Sequence, residues 1–212
     1  WYLFNFRRST IKYLVKKKFE IYCLIPDQDY SYQLKMLGCN CIHIPIQRSG
    51  MNPIIDLYTS FKFYKAYKLI NPAAAFHFTV KNNIFGTFGA WFAGIPSVNN
   101  FSGLGTVFIK KSFVSTLVKF LYKLSQPLAY KVFCQNFDDY ALLQSNGLVP
   151  KDKLNVLPGS GVDIERFSPK KLNNTQNDSL IFLYAGRFLG DKGLNELIMA
   201  ANNIHIKNPK FK

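Results

Sequence analysis

Apolar and polar positions along the chain fall into short blocks that alternate between a helical and an extended period. Trp1 to Lys18 reads as a helix: Ile11, Leu14 and Val15 share a face, and Lys16-Lys17-Lys18 sit at the end where cations oppose the helix dipole. Phe19 to Pro26 is a strand run, Asp29 to Leu37 a short helix closed by Gly38, and Cys39 to Ile46 a second strand in which Ile42, Ile44 and Ile46 alternate with Cys41, His43 and Pro45. Asn52-Pro53 is an N-cap with proline at the first helical position, so a helix runs from there to Ile70, where Asn71-Pro72 ends it. Ala73 to Thr79 is a buried strand with Lys81-Asn82-Asn83 as its exit loop, followed by a helix over Ile84 to Ala93 closed by Gly94. Ile95 to Phe101 is the next strand, and Ser102-Gly103-Leu104-Gly105 its exit loop. Ser112 to Tyr130 is the most amphipathic helix, with Phe113, Leu117, Phe120, Leu121 and Leu124 on one side and Pro127 kinking or ending it. Lys131 to Gln135 is a strand, Phe137 to Asn146 a helix followed by Gly147, and Leu154 to Leu157 a short strand.

The last stretch, Ser179 to Asn203, is the most informative. Leu180 to Tyr184 is an apolar run of strand length, and Leu194, Leu197, Ile198, Ala201 and Ile204 form one helical face. Between them lies the loop Gly186 to Gly193, which carries Arg187 and Lys192. A glycine loop between a strand and a helix aims backbone N–H groups and the positive helix end at whatever sits beyond the strand, an arrangement suited to phosphate. Spacing alone leaves open an ordinary connection with solvated charges.

Repeated helix–strand alternation with short loops predicts an α/β fold with a parallel sheet covered on both faces, and ligands at the carboxyl ends of its strands. Residues 1–157 form the expected first lobe, 158–178 a hinge and linker, and 179–212 the start of a second lobe. The chain opens on Trp1 and closes on Lys212 just after a helix, and one strand–loop–helix unit cannot bury its own apolar faces; the expectation is therefore a fragment.

Charge changes the picture. The net charge of +15 predicts attraction to a polyanion, whether nucleic acid, anionic lipid or a phosphorylated substrate. It is concentrated: no Asp or Glu occurs between Leu57 and Phe137, while Lys62, Lys65, Lys68, Lys81, Lys110, Lys111, Lys119, Lys123 and Lys131 all fall there. Cys23, Cys39, Cys41 and Cys134 make no C-x-x-C pair and no metal-ligand spacing with the histidines, which indicates a reducing, cytoplasmic setting and no bound metal. Cys23 and Cys134 sit in apolar runs as small hydrophobes. His43, alone in a strand, reads as structural. No run of about 20 apolar residues forms a membrane span.

Two ordered segments carry a family resemblance. Leu157-Pro158-Gly159-Ser160-Gly161-Val162-Asp163, with Phe167 and Pro169 after it, resembles the hinge signature G-V-D-x-x-x-F-x-P of glycosyltransferase family four. Gly186-Arg187 through Lys192-Gly193, then Leu197 and Ala200, resembles that family's G-R-x-x-x-x-K-G-x-x-x-L-x-x-A segment. Trp1 to Arg7, Asn82-Asn83 and Phe101 to Phe108 are similar to the bacterial surface-polysaccharide branch, which includes enzymes extending sugars on undecaprenyl diphosphate. The resemblance implies the GT-B architecture of two Rossmann-like lobes. It also implies retaining transfer of a sugar from a nucleotide-sugar donor to a lipid-linked acceptor in capsule, lipopolysaccharide or other polysaccharide synthesis, with no metal and no cofactor required. Arg187 and Lys192 match the pair that holds the donor diphosphate, with Gly186 and Gly193 as loop backbone. Gly161, Val162 and Asp163 match the inter-lobe hinge. No catalytic residue is assigned.

The chain also departs from the family. Ser102 stands where many members carry a His before Gly103-Leu104, so no imidazole role transfers there. The family's Glu-x-seven-Glu motif would lie beyond Lys212 and its first strand before Trp1, so the fragment is expected to be inactive alone. On the acceptor side the loops supply Lys81, Asn82, Ser102, Gly103 and Gly105. Lys110 to Lys123, basic with an apolar stripe, is expected to bring the first lobe onto anionic membrane at the inner face of the cytoplasmic membrane. A nucleotide-sugar epimerase of GT-B architecture remains an alternative. A nucleic-acid-binding module rests only on charge, and no nucleic-acid partner is expected.

Overall fold

The computed structural model describes residues 1–26, 29–46, 52–104, 112–169, 182–186, 188 and 192–207. The chain divides into two compact units, Trp1–Phe167 and Ser168–Lys212.

The first unit begins with α1 (Tyr2–Phe6) and α2 (Arg8–Lys16), where the sequence predicts one continuous helix. Arg7 breaks it, at φ −122° and ψ 7°, and carries its side chain inward among the buried residues. Then come β1 (Ile21–Ile25), α3 (Ser31–Met36) and β2 (Cys39–His43). The long helix α4 (Pro53–Ile70) starts as the sequence predicts: the Asn52 side chain accepts from the Ile54 and Ile55 N–H groups at 3.1 and 3.4 Å. It ends at Asn71, which takes the left-handed conformation at φ 48°. β3 (Ala75–Phe78), α5 (Thr87–Ala93), β4 (Ser97–Phe101), α6 (Phe113–Ser125), β5 (Lys131–Cys134), α7 (Phe137–Ser145) and β6 (Leu154–Val156) complete the alternation.

All pairings are parallel, as predicted, with Ile21 opposite Cys39, Ala75 opposite Ser97, Val98 opposite Lys131 and Val132 opposite Leu154. The expected single sheet is instead two ladders, β1–β2 and β3–β4–β5–β6, with no strand among the described residues joining them. Each ladder has its own buried cluster: Cys23, Leu34 and Cys39 belong to one, and Tyr122, Val132 and Leu143 to the other. Between them, Phe63 and Tyr67 of α4 pack with Ala75 and Ala90. The approach of α4 to α5 depends on a missing side chain. A Cβ on Gly89 would lie 2.7 Å from Phe63 Cβ and 2.9 Å from the Tyr64 nitrogen.

One further expectation changes. Lys81-Asn82-Asn83 is helical rather than an exit loop: Thr79, at φ 76°, makes the turn out of β3, and a π-helical turn over Asn82–Gly86 leads directly into α5. The apolar stripe of α6 lies only partly on the core, where Leu121 packs against the buried cluster. Ser112 caps this helix, Ser115, Val118, Tyr122 and Ser125 face inward, and Phe113, Phe120 and Leu124 are exposed. Period alone locates a stripe but not what covers it.

In the second unit, α8 (Leu194–Lys207) has no buried residue. Leu180 and Ile181 lie outside the described residues. Phe182 to Tyr184 form no ladder, and Phe182 and Leu183 are exposed, because no neighbouring strand among the described residues pairs with them.

Candidate functional site

The carboxyl ends of β3 and β4 lie side by side, with Phe78 opposite Asn100 in the register. Several of the sequence-predicted acceptor-side residues follow from them. Lys81 is tied to Asp56 of α4 by an ion pair of 2.7 Å, so its charge is neutralised within the fold. Asn82, Asn83 and Asn100 each bury a carboxamide Oδ1 that has no hydrogen-bond partner among the described residues. Such acceptors suit donors such as sugar hydroxyls. Ser102 is exposed, with Oγ 3.0 Å from the Tyr2 hydroxyl, and Gly103 adopts φ 122°, a conformation that excludes other residues. Gly105 lies outside the described residues.

Arg7 joins this edge without having been a predicted site residue. Its Nη2 donates to the Tyr2 hydroxyl at 2.9 Å, and its guanidinium carbon sits 4.4 Å from the Phe78 ring centroid. The Tyr2 proton is then free to reach Ser102. The trace in the sequence was an arginine directly after the aromatic run Trp1 to Phe6, within the segment Trp1 to Arg7 that carries part of the family resemblance.

Beneath the edge is a buried polar network. His77 Nδ1 lies 2.8 Å from Asn99 Oδ1, and His77 Nε2 lies 2.8 Å from the Tyr67 hydroxyl. Asn99 Nδ2 donates to Thr87 Oγ1 at 2.8 Å and to Gln126 Oε1 at 2.7 Å, which leaves Oδ1 as the acceptor. His77 therefore carries its proton on Nδ1, and Tyr67 donates to Nε2. Gln126 Nε2 and Thr87 Oγ1 both donate to the Asn83 carbonyl, at 2.9 and 2.8 Å, supporting the π-helical turn that carries Asn82 and Asn83. Gly86 is required beside the imidazole: a Cβ there would lie 2.7 Å from His77 Nε2.

Burial lowers the His77 pKa from 6.5 to about 4, against a smaller opposing effect of the Asn99 hydrogen bond. His77 is neutral in both states above pH 6.5; between 6.5 and about 4 the unfolded chain takes up a proton that the folded chain refuses. Stability should therefore fall as pH falls through that window, by about 3 kcal/mol in all. Denaturant titrations of the wild type and His77→Gln across the window measure this. Equal pH slopes for the two would remove His77 as the cause.

The residues expected to form the hinge lie at the end of the first unit. Gly159 and Gly161 have φ of 71° and 70°, and the Ser160 hydroxyl accepts from Gln135 Nε2 at 2.7 Å, tethering the segment just beyond β5. Val162 is exposed, and Asp163 caps the following turn by accepting from the Arg166 N–H at 3.0 Å. In the second unit, Lys192 and Gly193 immediately precede α8, and Gly193 takes φ 72°. Gly186 is described; Arg187 lies outside the described residues.

No protein-family model matches the chain. Among solved structures, MurG of Acinetobacter baumannii is 15% identical at a TM-score of 0.48, covering 74% of this chain and 42% of its own. A glycosyltransferase from Rickettsia africae is 16% identical at 0.48, covering 79% and 42%. A curated relative from Campylobacter jejuni is N,N'-diacetylbacillosaminyl-diphospho-undecaprenol alpha-1,3-N-acetylgalactosaminyltransferase, 27% identical over 220 residues. That match takes in 97% of this chain, which spans 58% of the relative's length. The resemblance carried by the hinge and donor-loop signatures thus extends, at the level of sequence, along nearly the whole chain to a bacterial glycosyltransferase acting on a lipid-linked diphospho sugar.

Proposed function

We propose that this chain forms the first lobe and the beginning of the second lobe of a GT-B glycosyltransferase, one that moves a sugar from a nucleotide-sugar donor to a lipid-linked glycan acceptor with retention. The observation that carries the reading is the 27% identity over 97% of the chain, within which both family signatures stand in order. Arg187 and Lys192 hold the donor diphosphate, with Gly186 and Gly193 letting the loop backbone approach it. Two fixed cations stabilise charge on the departing diphosphate oxygen, so the reaction needs no metal. Gly161, Val162 and Asp163 form the hinge about which the lobes close. The buried carboxamide oxygens of Asn82, Asn83 and Asn100, with Ser102, lie on the acceptor side.

The test is transfer of radiolabelled sugar from a panel of nucleotide sugars to a diphospholipid-linked glycan, using the longest reading frame that contains this chain. Label in the lipid fraction is the expected result. Interconversion of the free nucleotide sugar without transfer would establish an epimerase instead.

The first unit also has a surface suited to an anionic membrane, which is where a lipid-linked acceptor resides. Phe113, Phe120 and Leu124 of α6 are exposed together with Lys123. On α4, Lys62 lies 5.1 Å from the Tyr58 ring centroid and Lys65 lies 4.8 Å from that of Phe61, beside exposed Ile54 and Leu57. Lysines set on exposed aromatic rings combine interfacial burial with attraction to lipid phosphate. Lys110 and Lys111 lie outside the described residues, and no described helix is long and apolar enough to cross a membrane. Co-sedimentation should be strong with acidic liposomes and weak with neutral ones; equal pelleting with both would remove the membrane role.

A further inference from the structure

We propose that Arg7 is the anchor of a diphosphate-binding subsite on the first unit, at the carboxyl edge of β3 and β4. Arg7 is 6% exposed, yet among the described residues its guanidinium meets no carboxylate. Among the described residues the guanidinium makes one hydrogen bond, from Nη2 to the Tyr2 hydroxyl. Among the same residues Nε is buried with no partner, and Nη1, also without one, is not sealed from solvent. The rings of Phe78 and Tyr2, 4.4 and 5.6 Å from the guanidinium carbon, orient it but do not neutralise it. Burying an unpaired cation is costly, and the cost is removed when an anion occupies the site.

Independent features at the same place favour an anion. Arg7 is the N-cap residue of α2, and no side chain caps that helix. Lys81, which follows β3 at this edge, is already neutralised by Asp56, so among the described residues the uncompensated charge here is that of Arg7. The Tyr2 hydroxyl and Ser102 Oγ, 3.0 Å apart, add polar groups on the exposed side of the same cluster. A planar guanidinium with unpaired N–H groups, flanked by two hydroxyls, matches the oxygens of a phosphoryl group.

This deepens the transferase reading, because a diphosphate is carried by both the nucleotide donor and the lipid-linked acceptor; binding is nevertheless measured without turnover. The 212-residue chain is titrated with inorganic pyrophosphate, followed by thermal unfolding and by the 15N–1H resonance of Arg7 Nε. The expected result is a rise in Tm of about 5 °C at a hundredfold excess over Kd, with the Nε resonance moving along the same binding curve. Arg7→Met should lose that rise. Without ligand it should be at least as stable as the wild type, since an apolar chain replaces an unpaired buried charge. A wild type whose Tm and Nε resonance ignore pyrophosphate would overturn the subsite. So would an Arg7→Met chain that responds as the wild type does. If Arg7→Met does not fold, the Nε titration of the wild type decides. Parallel titrations with uridine diphosphate and with farnesyl diphosphate then assign the site: tighter binding of the first places the donor diphosphate on Arg7, tighter binding of the second the lipid diphosphate. Failure here would leave the transfer assay untouched, and a negative transfer assay would leave this binding result standing.

Discussion

Asn99→Ala is expected to lower the unfolding free energy of the chain by about 3–5 kcal/mol, with the denaturant slope unchanged. Asn99 is fully buried at the centre of β4 and connects three separate parts of the chain. Its Oδ1 accepts from His77 of β3, and its Nδ2 donates to Thr87 of α5 and to Gln126, which follows α6. Truncation leaves Gln126 Oε1 unpaired and His77 Nδ1–H with only Thr87 Oγ1 at 3.5 Å in a buried site, at about 1–3 kcal/mol for each lost partner. The cavity left by the carboxamide adds to this. The damage should also spread. Gln126 and Thr87 hold the Asn83 carbonyl in the π-helical turn, so the turn that carries Asn82 and Asn83 should lose hydrogen-exchange protection first. Urea titrations showing a loss below about 1 kcal/mol would mean that the network contributes little beyond packing.

Arg187→Ala should reduce sugar transfer about a hundred- to a thousandfold, and Lys192→Ala by a similar factor. Charge on the leaving diphosphate oxygen grows as the glycosidic bond to the donor breaks, so a preorganised cation contributes more in the transition state than in the ground state. The loss should therefore fall on kcat more than on KM for the donor. Arg187→Lys should recover part of the rate but not all of it, because a point charge replaces a planar fork that grips two oxygens. Rates of Arg187→Ala within tenfold of wild type would remove this residue from the donor site.

Much of the local structure was legible. Asn52-Pro53 opens α4 with the Asn52 side chain bonded to two N–H groups of its first turn, and Gly38 and Gly147, at φ 90° and 59°, follow the helices they were expected to close. The β-runs around Cys23, Ala75, Val98 and Val132 all became parallel strands. Caps, breakers and periodicity concern atoms within about one turn of each other, which a linear sequence records directly.

What the sequence by itself determined is therefore the order of helices and strands, the parallel α/β class, and the placing of the hinge and donor-loop signatures along the chain. Tertiary structure alone decided which polar groups meet. Lys81 lies in an acid-free stretch, yet Asp56 neutralises it from 25 residues away; Asn99 reaches Gln126 across 27, and Tyr2 reaches Ser102 across 100. It also decided that Phe113, Phe120 and Leu124 of α6 face outward while Leu121 packs inward, that a π-helical turn stands where a loop was expected, and that Arg7 turns into the protein with no counter-ion among the described residues. The physical reason is common to all of these. Periodicity encodes how a residue sits on its own element, whereas charge pairing and burial depend on which distant element the fold brings beside it.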